Sequence, residues 1–563
     1  MSLHQGVVDQ ERMASSDDAS PGESVHSVSK QKTTRVPHKW ALIFCSWAVL
    51  GALLYGYDGT YFTGVQAMDA FLEKFGTRQA DGTYTLTSGA RSVMTSIVYV
   101  GELIGSLSAS FVQDRHGRKG GLFVAMIGII VGVIIQVAAT GQQGVIIAGR
   151  IILGFGVGMI SNAVPQYLSE VPNTSIRGSV VGSWQLVLAI GQVIGACIAQ
   201  GTKDINSSAA YRIPMGLQLL IPLIVYAFMP FVPESPRWLV TKHRYEDAGK
   251  ALRKINKEKL PQYDESIELN ALRADNEREE NAKEPSSWRE VFGNPIERRK
   301  FFSVFGILVA QQVTGVQFIF SYATVFIQDV GLSDAFLWTI IIDIVEVLGV
   351  IASFFVVNRI GRRPLLIWTS VIMIISLLIV GGLGTPANPS YGMKIGIVVC
   401  LMIFVFFFNL AWGPLAWCIA VEMSPGVNRS KIMSVGTAAF WVIAFLVTFT
   451  LPYLYDADQA NLGAMVGYIY AGGCCLSLAF VYFYIGETLG RSLEEINQMF
   501  DDDLPVMKWK NWQSTRLAAG DHVETAKKSS DDSFSLNQYP TSAKKEITGE
   551  HHEMENDEAS ARP

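Results

Sequence analysis

The chain alternates between long apolar runs and short charged segments. A helix needs about 20 consecutive, mostly apolar residues to cross the hydrocarbon core of a bilayer. Runs of that length begin near Trp40, Ser92, Leu122, Val145, Ser179, Arg212, Phe301, Ala335, Leu365, Met393, Ile432 and Leu462. The pattern predicts an all-α membrane protein with twelve transmembrane helices. Cytoplasmic loops carry an excess of Lys and Arg, which checks the count. With the N-terminus cytoplasmic, the inner segments hold Lys30, Lys32, Arg35 and Lys39; Arg115, Arg118 and Lys119; Arg177; the charged middle of the chain; Arg359, Arg362 and Arg363; Arg429 and Lys431; and Arg491. The outer loops after the third, seventh and eleventh helices hold none, and the others few, such as Lys74, Arg78, Lys203 and Lys394. An odd number of helices would put one basic set on the wrong side, so both termini are expected in the cytoplasm.

The two halves of the chain resemble each other. QDRHGRKG (113–120) after the second helix answers VNRIGRRP (357–364) after the eighth. SEVPNTSIRG (169–178) answers VEMSPGVNRS (421–430), with Glu170 and Arg177, and Glu422 and Arg429, each seven apart. PESPRW (233–238) answers GETLGR (486–491). Three matches in order, each offset by about 250 residues, indicate a duplicated six-helix unit. Two such bundles rocking about a central site are the physical basis of alternating access. The expected organisation is an N-tail (1–38), a first bundle (39–232), a cytoplasmic linker (233–299), a second bundle (300–490) and a C-tail (491–563). The linker places Ala248, Ala251, Leu252 and Ile255 at helical spacing and reads as short amphipathic helices bracing both bundles. The tails, rich in Ser, Asp, Glu and Lys, read as disordered, with room for ubiquitin or trafficking machinery to act on them.

Composition sharpens this picture. Of 563 residues, 49% are hydrophobic and 17% charged, and the charge collects in 1–39, 240–300 and 487–563. That distribution excludes a soluble enzyme, and the net charge of −5 resides mostly in the tails. No metal, nucleotide or Ser/His/Asp signature is found, so no cofactor and no nucleic-acid partner is expected. The six cysteines fall in apolar runs and read as small buried hydrophobes. All eight histidines lie outside those runs, which disfavours a buried histidine proton relay. Asn206, in an outer-loop NSS, is a glycosylation acceptor by pattern. Asp58, inside the apolar run LLYGYDGTYFTGV, is the oddity: an ionised Asp at a bilayer centre costs about 2.5–3.5 kcal/mol on insertion scales.

The motifs GYDGTYFTG, DRHGRK, GRIILGFGVG, YLSEVPNTSIRG, WQLVLAIGQVIG, PESPRWL, QQVTGVQFIFSY, NRIGRR, WGPLAWCIAVEM and GETLGRSLEEI occur in an order that resembles the sugar porter family of the major facilitator superfamily, over roughly residues 40–495. The resemblance implies two six-helix bundles and a plasma-membrane transporter of a sugar. It implies that Asp58, coupled to Arg150, carries a proton in symport with a monosaccharide such as glucose. A facilitative uniporter and a non-transporting sugar sensor stand as alternatives. It further implies a cytoplasmic gate of Arg115, Arg118, Glu170, Arg177, Glu234, Arg237, Arg359, Arg362, Glu422, Arg429, Glu487 and Arg491. These are expected to pair as Glu170/Arg177, Glu422/Arg429, Glu234/Arg237 and Glu487/Arg491.

A sugar has many hydroxyls and two faintly apolar faces, and calls for amides, which donate and accept, beside an aromatic wall. Gln185 and Gln192, seven apart, share one face of the fifth helix. Gln311 and Gln312 open the seventh, followed by Gln317 and Tyr322 where Gly315 interrupts it, and Trp417 and Trp441 offer stacking surfaces. Carried over by motif, the five amides and the two tryptophans match sugar-contacting positions of the family, with the small-molecule sugar and the proton as expected partners inside the lipid bilayer. Two positions depart from the family: Gln317 stands where Asn is usual, and Glu346, with Asp343 one turn earlier, stands where Asn is frequent. Glu102 in the second helix is a further acid within the membrane.

Overall fold

The computed structural model describes residues 38–79, 82–172, 174–257, 264–281, 288–386, 389–426, 428–456, 459–491 and 493–512. The tails at 1–37 and 513–563, on which the disorder and trafficking expectations mainly rest, lie outside the described residues, as does the side chain of Arg177.

Among the described residues, eleven helices are long and apolar enough to cross a membrane. One of them, Ser88–Ala138, is 51 residues long, about 77 Å at 1.5 Å per residue, which is enough for two crossings. Its backbone leaves helical geometry at Gly117 (φ 85°, ψ 177°), so it counts as two and the chain crosses twelve times. The first six spans are Lys39–Gln66, 88–116, 118–138, Gln143–Glu170, Thr174–Thr202 and Ala209–Phe231. The last six are Pro295–Asp329, Ala335–Ile360, Arg362–Leu383, Tyr391–Glu422, Arg429–Tyr455 and Gly463–Tyr484. Large apolar side chains such as Phe111, Trp368 and Leu476 are exposed on the outside of this bundle, where hydrocarbon rather than water is the fitting surround. The protein is a multi-pass membrane protein.

Between the halves run four short helices, Pro236–Thr241, Tyr245–Ile255, Glu265–Asn281 and Trp288–Gly293. The second buries Ala248, Ala251, Leu252 and Ile255, the expected stripe. The segment after 491 differs from expectation. Leu493–Asp501 is a helix and Val506–Asn511 a 3₁₀ turn, because Ile496, Met499, Phe500 and Trp509 form an apolar face that is fully buried. Arg299, at the start of the seventh span, holds this segment through Asp503 (2.8 Å) and the Leu504 carbonyl (2.6 Å). Two cysteines also depart from expectation: Cys197 and Cys475 are exposed, on helix faces turned away from the core.

Small residues let the second and fourth spans touch backbone to backbone, the usual device where no hydrophobic force draws helices together. A Cβ at Gly101 would lie 2.8 Å from the Phe155 nitrogen, and one at Gly158 would lie 2.6 Å from Glu102 Cα. Gly158→Val is therefore expected to destabilise the protein by about 3 kcal/mol. Thermal unfolding in detergent checks it, with Gly201→Ala, whose Cβ meets open space, unchanged. Two spans in the second half are interrupted near mid-membrane. The seventh breaks at Gly315, between Pro295–Val313 and Val316–Asp329. The tenth carries a π-helical turn, Phe408–Trp412, before Gly413–Pro414, where the missing proline N–H disrupts the regular ladder.

Candidate functional site

The interrupted spans surround a buried polar centre. On the first span, Asp58 is 3% exposed and 3.6 Å from Arg150 of the fourth, itself 3% exposed. The guanidinium also lies 4.0 Å over the ring of Phe62. The pair is loose: Asp58 Oδ1 and Arg150 Nε and Nη1 are buried without a hydrogen-bond partner. Desolvating two charges is repaid only by excellent geometry and satisfied hydrogen bonds, so this pair is a poor structural brace.

Next to it, side chains of the two halves meet. Gln192, with its amide nitrogen turned to the carboxylate, donates to Glu346 at 2.6 and 2.8 Å. Tyr99 of the second span donates to Gln317 Oε1 at 2.8 Å and contacts Ser321 Oγ at 3.0 Å. Gln311 donates to the carbonyls of Trp412 (2.9 Å) and Gly413 (3.3 Å) across the π turn. Trp441, 1% exposed, is walled by Tyr99 (stacked, 6.2 Å), Tyr55 (6.4 Å) and Phe440 (4.8 Å), while Trp417 tilts against Phe440 at 5.1 Å. Several polar atoms here are buried without partners: Oε1 of Gln311 and of Gln312, Trp441 Nε1, Asn409 Oδ1, Glu102 Oε2 and Asp343 Oδ2. Such atoms are expensive to leave unpaired, and a ligand bearing hydroxyls would satisfy donors and acceptors alike. Gln185 lies half-buried near the same turn, 3.7 Å from where a Gly413 Cβ would stand. Tyr322 is spent on packing, its hydroxyl donating to the Thr448 carbonyl at 3.2 Å. Tyr55, Tyr99 and Asn409 were not among the residues singled out from sequence. Asn409 left a signal, a lone amide in FFFNLAWGP, whereas the tyrosines read as ordinary helix aromatics.

At the basic face the anticipated residues gather, with a different pairing. Glu170 binds Arg118 (2.7 and 2.9 Å) and accepts from Ser235 Oγ. Glu422 pairs with Arg362 at 3.3 Å. Glu234 accepts backbone N–H bonds from Arg118 (3.0 Å), Lys119 (3.2 Å) and Ser235 (2.9 Å). Glu487 accepts them from Arg362 (3.0 Å), Arg363 (3.2 Å) and Leu489 (2.9 Å). Arg491 turns to the carbonyl of Trp512 (2.6 Å) and to Glu495 (3.6 Å). The reason is the turn geometry. Gly117 (φ 85°) and Gly361 (φ 101°) aim consecutive N–H groups at one carboxylate in each half, and a Cβ at Gly361 would lie 2.6 Å from Glu487 Oε2. Burial pushes the Glu234 carboxyl up from its ordinary value, and the amide donors with the Lys119 charge pull it back. Arg115 and Arg359 are exposed. Arg429 is half-buried with Arg237 as a neighbouring cation, and Glu422 pairs with Arg362 in place of the expected Arg429.

At the opposite face a cluster ties the halves together. Arg91, on the second span, donates to Tyr455 Oη (2.6 Å) and Asp456 (3.1 Å) and lies 3.7 Å from Asp329, which accepts from Tyr455 at 3.0 Å. Lys203 and Asp334 are 3.8 Å apart there, and Asn206 is exposed in the adjoining loop.

Comparison with known proteins places this arrangement. Residues 44–500 match the family model "Sugar (and other) transporter". The chain is 32% identical to low-affinity glucose transporter HXT1 of Saccharomyces cerevisiae over 506 residues, 88% of this chain and 87% of that protein. It is 33% identical to the major facilitator-type transporter ecdD of Aspergillus rugulosus over 522 residues, 87% and 95% of the two chains. The fold is that of the inward-open xylose transporter XylE from E. coli, with TM-score 0.67 and 22% identity over 82% of this chain and 99% of that one. With the family model covering most of its length, the two internally repeated halves and the family motifs at their helix ends, the chain belongs to the sugar transporter family of the major facilitator superfamily.

Proposed function

We propose that the protein imports a monosaccharide, a hexose such as glucose, together with a proton by alternating access across the plasma membrane, both termini being cytoplasmic. The observation that carries the coupling is the loose, fully buried Asp58–Arg150 pair. Ionised, Asp58 keeps the Arg150 guanidinium turned to the first span. A proton arriving from the acidic exterior neutralises the carboxylate and frees the guanidinium to take other partners, so sugar loading and inward rocking follow. Release at neutral cytosolic pH restores the pair. Sugar hydroxyls meet Gln185, Gln192, Gln311, Gln312, Gln317 and Glu346, with Trp417 and Trp441 beside the ring; Tyr322 supports the broken seventh span. The basic-face residues close the cytoplasmic side when the site faces outward.

The relatives support sugar as cargo, since HXT1 is named a glucose transporter, and a structural neighbour is a proton:xylose symporter. Purified protein in liposomes tests the reading with one labelled hexose against a competition panel of hexoses, pentoses, disaccharides and uronates. Uptake driven by an inwardly directed proton gradient is expected. Equilibration without accumulation would make it a uniporter, and binding without uptake a sensor. Gln312 offers a sharper check. Its Oε1 has no partner in the fold, so Gln312→Ala is expected to raise KM roughly five- to tenfold while leaving thermal stability unchanged.

A further inference from the structure

A cavity lies away from the polar centre, on the basic face, where the first half meets the helix Tyr245–Ile255. Its volume is about 430 Å³, and Lys119, Arg244, Lys250 and Lys254 line it together with His116. Two acids, Glu234 and Asp247, share the wall. Both are already engaged. Glu234 is occupied by three backbone N–H groups, and Asp247 by Arg244 at 2.7 Å and Lys250 at 3.5 Å. Counting the lining side chains with His116 neutral, four cations face two anions, a surplus of two positive charges. The cavity also adjoins the end of the sixth span. Pro233 lines it, and Phe228 and Phe231, just before, are 56% and 66% exposed at the end of the sixth span.

We propose that this cavity binds a phosphate-bearing polyanion of the phosphoinositide-headgroup class, which bridges the linker helix Tyr245–Ile255 to the turn between the second and third spans. Cationic side chains from two elements line the cavity, Lys119 with one of its donors on the Val232 carbonyl at 2.7 Å; they match a multiply phosphorylated ring, and basic pockets at the cytoplasmic bilayer surface draw such headgroups. A single carboxylate would neither fill the volume nor neutralise the surplus. The same chemistry is offered by a lipid headgroup and by a free inositol phosphate. The site is separate from the sugar path, so its test needs neither sugar nor a proton gradient.

Full-length protein in phosphatidylcholine nanodiscs would be titrated with short-chain phosphatidylinositol bisphosphate, inositol trisphosphate and short-chain phosphatidylserine. Saturable binding of a phosphorylated probe is expected, weakening with salt and falling about tenfold or more in Lys250→Glu/Lys254→Glu. Binding of the lipid alone identifies the bilayer as the source, and equal binding of inositol trisphosphate identifies a soluble one. A thermal unfolding scan confirms that the double variant is folded, and Lys254→Gln supplies a milder variant with a smaller loss. The proposal is overturned if no phosphorylated probe saturates, if the double variant binds as the parent does, or if phosphatidylserine binds equally well.

Discussion

Asp58→Asn is expected to abolish proton-driven accumulation while sparing exchange of labelled for unlabelled sugar. The amide cannot take up the transported proton, and it leaves Arg150 permanently without the carboxylate now 3.6 Å away. A gradient of one pH unit stores about 1.4 kcal/mol per proton, so one-to-one symport concentrates sugar about tenfold. The variant should only equilibrate it. Because the existing pair leaves polar atoms of both partners unsatisfied, its loss should cost the fold little, and counterflow exchange serves as the internal control for folding. Accumulation surviving in the variant would remove Asp58 from the coupling role and direct attention to Glu102, Asp343 and Glu346, the other acids buried around the centre.

Arg91→Ala is expected to swing the conformational balance towards opening of the face opposite the basic one. The arginine and Asp456 are partly buried, with side chains 14% and 11% exposed. Removing the cation leaves Asp456 and Asp329 facing each other without compensation. Breaking a fully buried pair costs about 3–5 kcal/mol; with water reaching this one, about 2–3 kcal/mol is the fitting scale, roughly a 30- to 150-fold change in the equilibrium. Pulsed electron resonance distances between labels at Ser207 and Ala460, exposed in the two halves on that face, would read it. Cys197 and Cys475, the two exposed cysteines, are first replaced by Ser. A distance distribution unchanged from the parent would show that Arg91 does not hold that face shut.

Much of the architecture was legible in one dimension because a bilayer leaves so little freedom. Every span had to be about 20 apolar residues long, and the helix starts read from sequence near Trp40, Ala335 and Ile432 fall within a few residues of those found. The amides and tryptophans of the centre were legible for the same reason, since polar groups are conspicuous in apolar runs. What escaped were relations that depend on backbone direction. The seven-residue spacing of Glu422 and Arg429 suggested a pair, but the carboxylate answers to Arg362 instead, and Glu234 and Glu487 to loop amides that no composition reveals. Arg91 was not singled out from sequence because its partners, Asp329 and Asp456, lie hundreds of residues away. Residues 493–512 read as tail because their charges outweighed an apolar face of four side chains.

The two glycine turns clasped by Glu234 and Glu487 have a mechanical implication. Each half fastens its own loops internally, so neither bundle need bend when the molecule changes shape. The contacts between halves then set the tempo. Tyr99–Gln317, Gln192–Glu346 and the Arg91 cluster are a handful of separable bonds, each breaking at its own cost. On the proposed alternating-access reading, rocking exchanges these polar contacts along with the apolar packing between the halves, and single substitutions at them adjust the balance without softening either body.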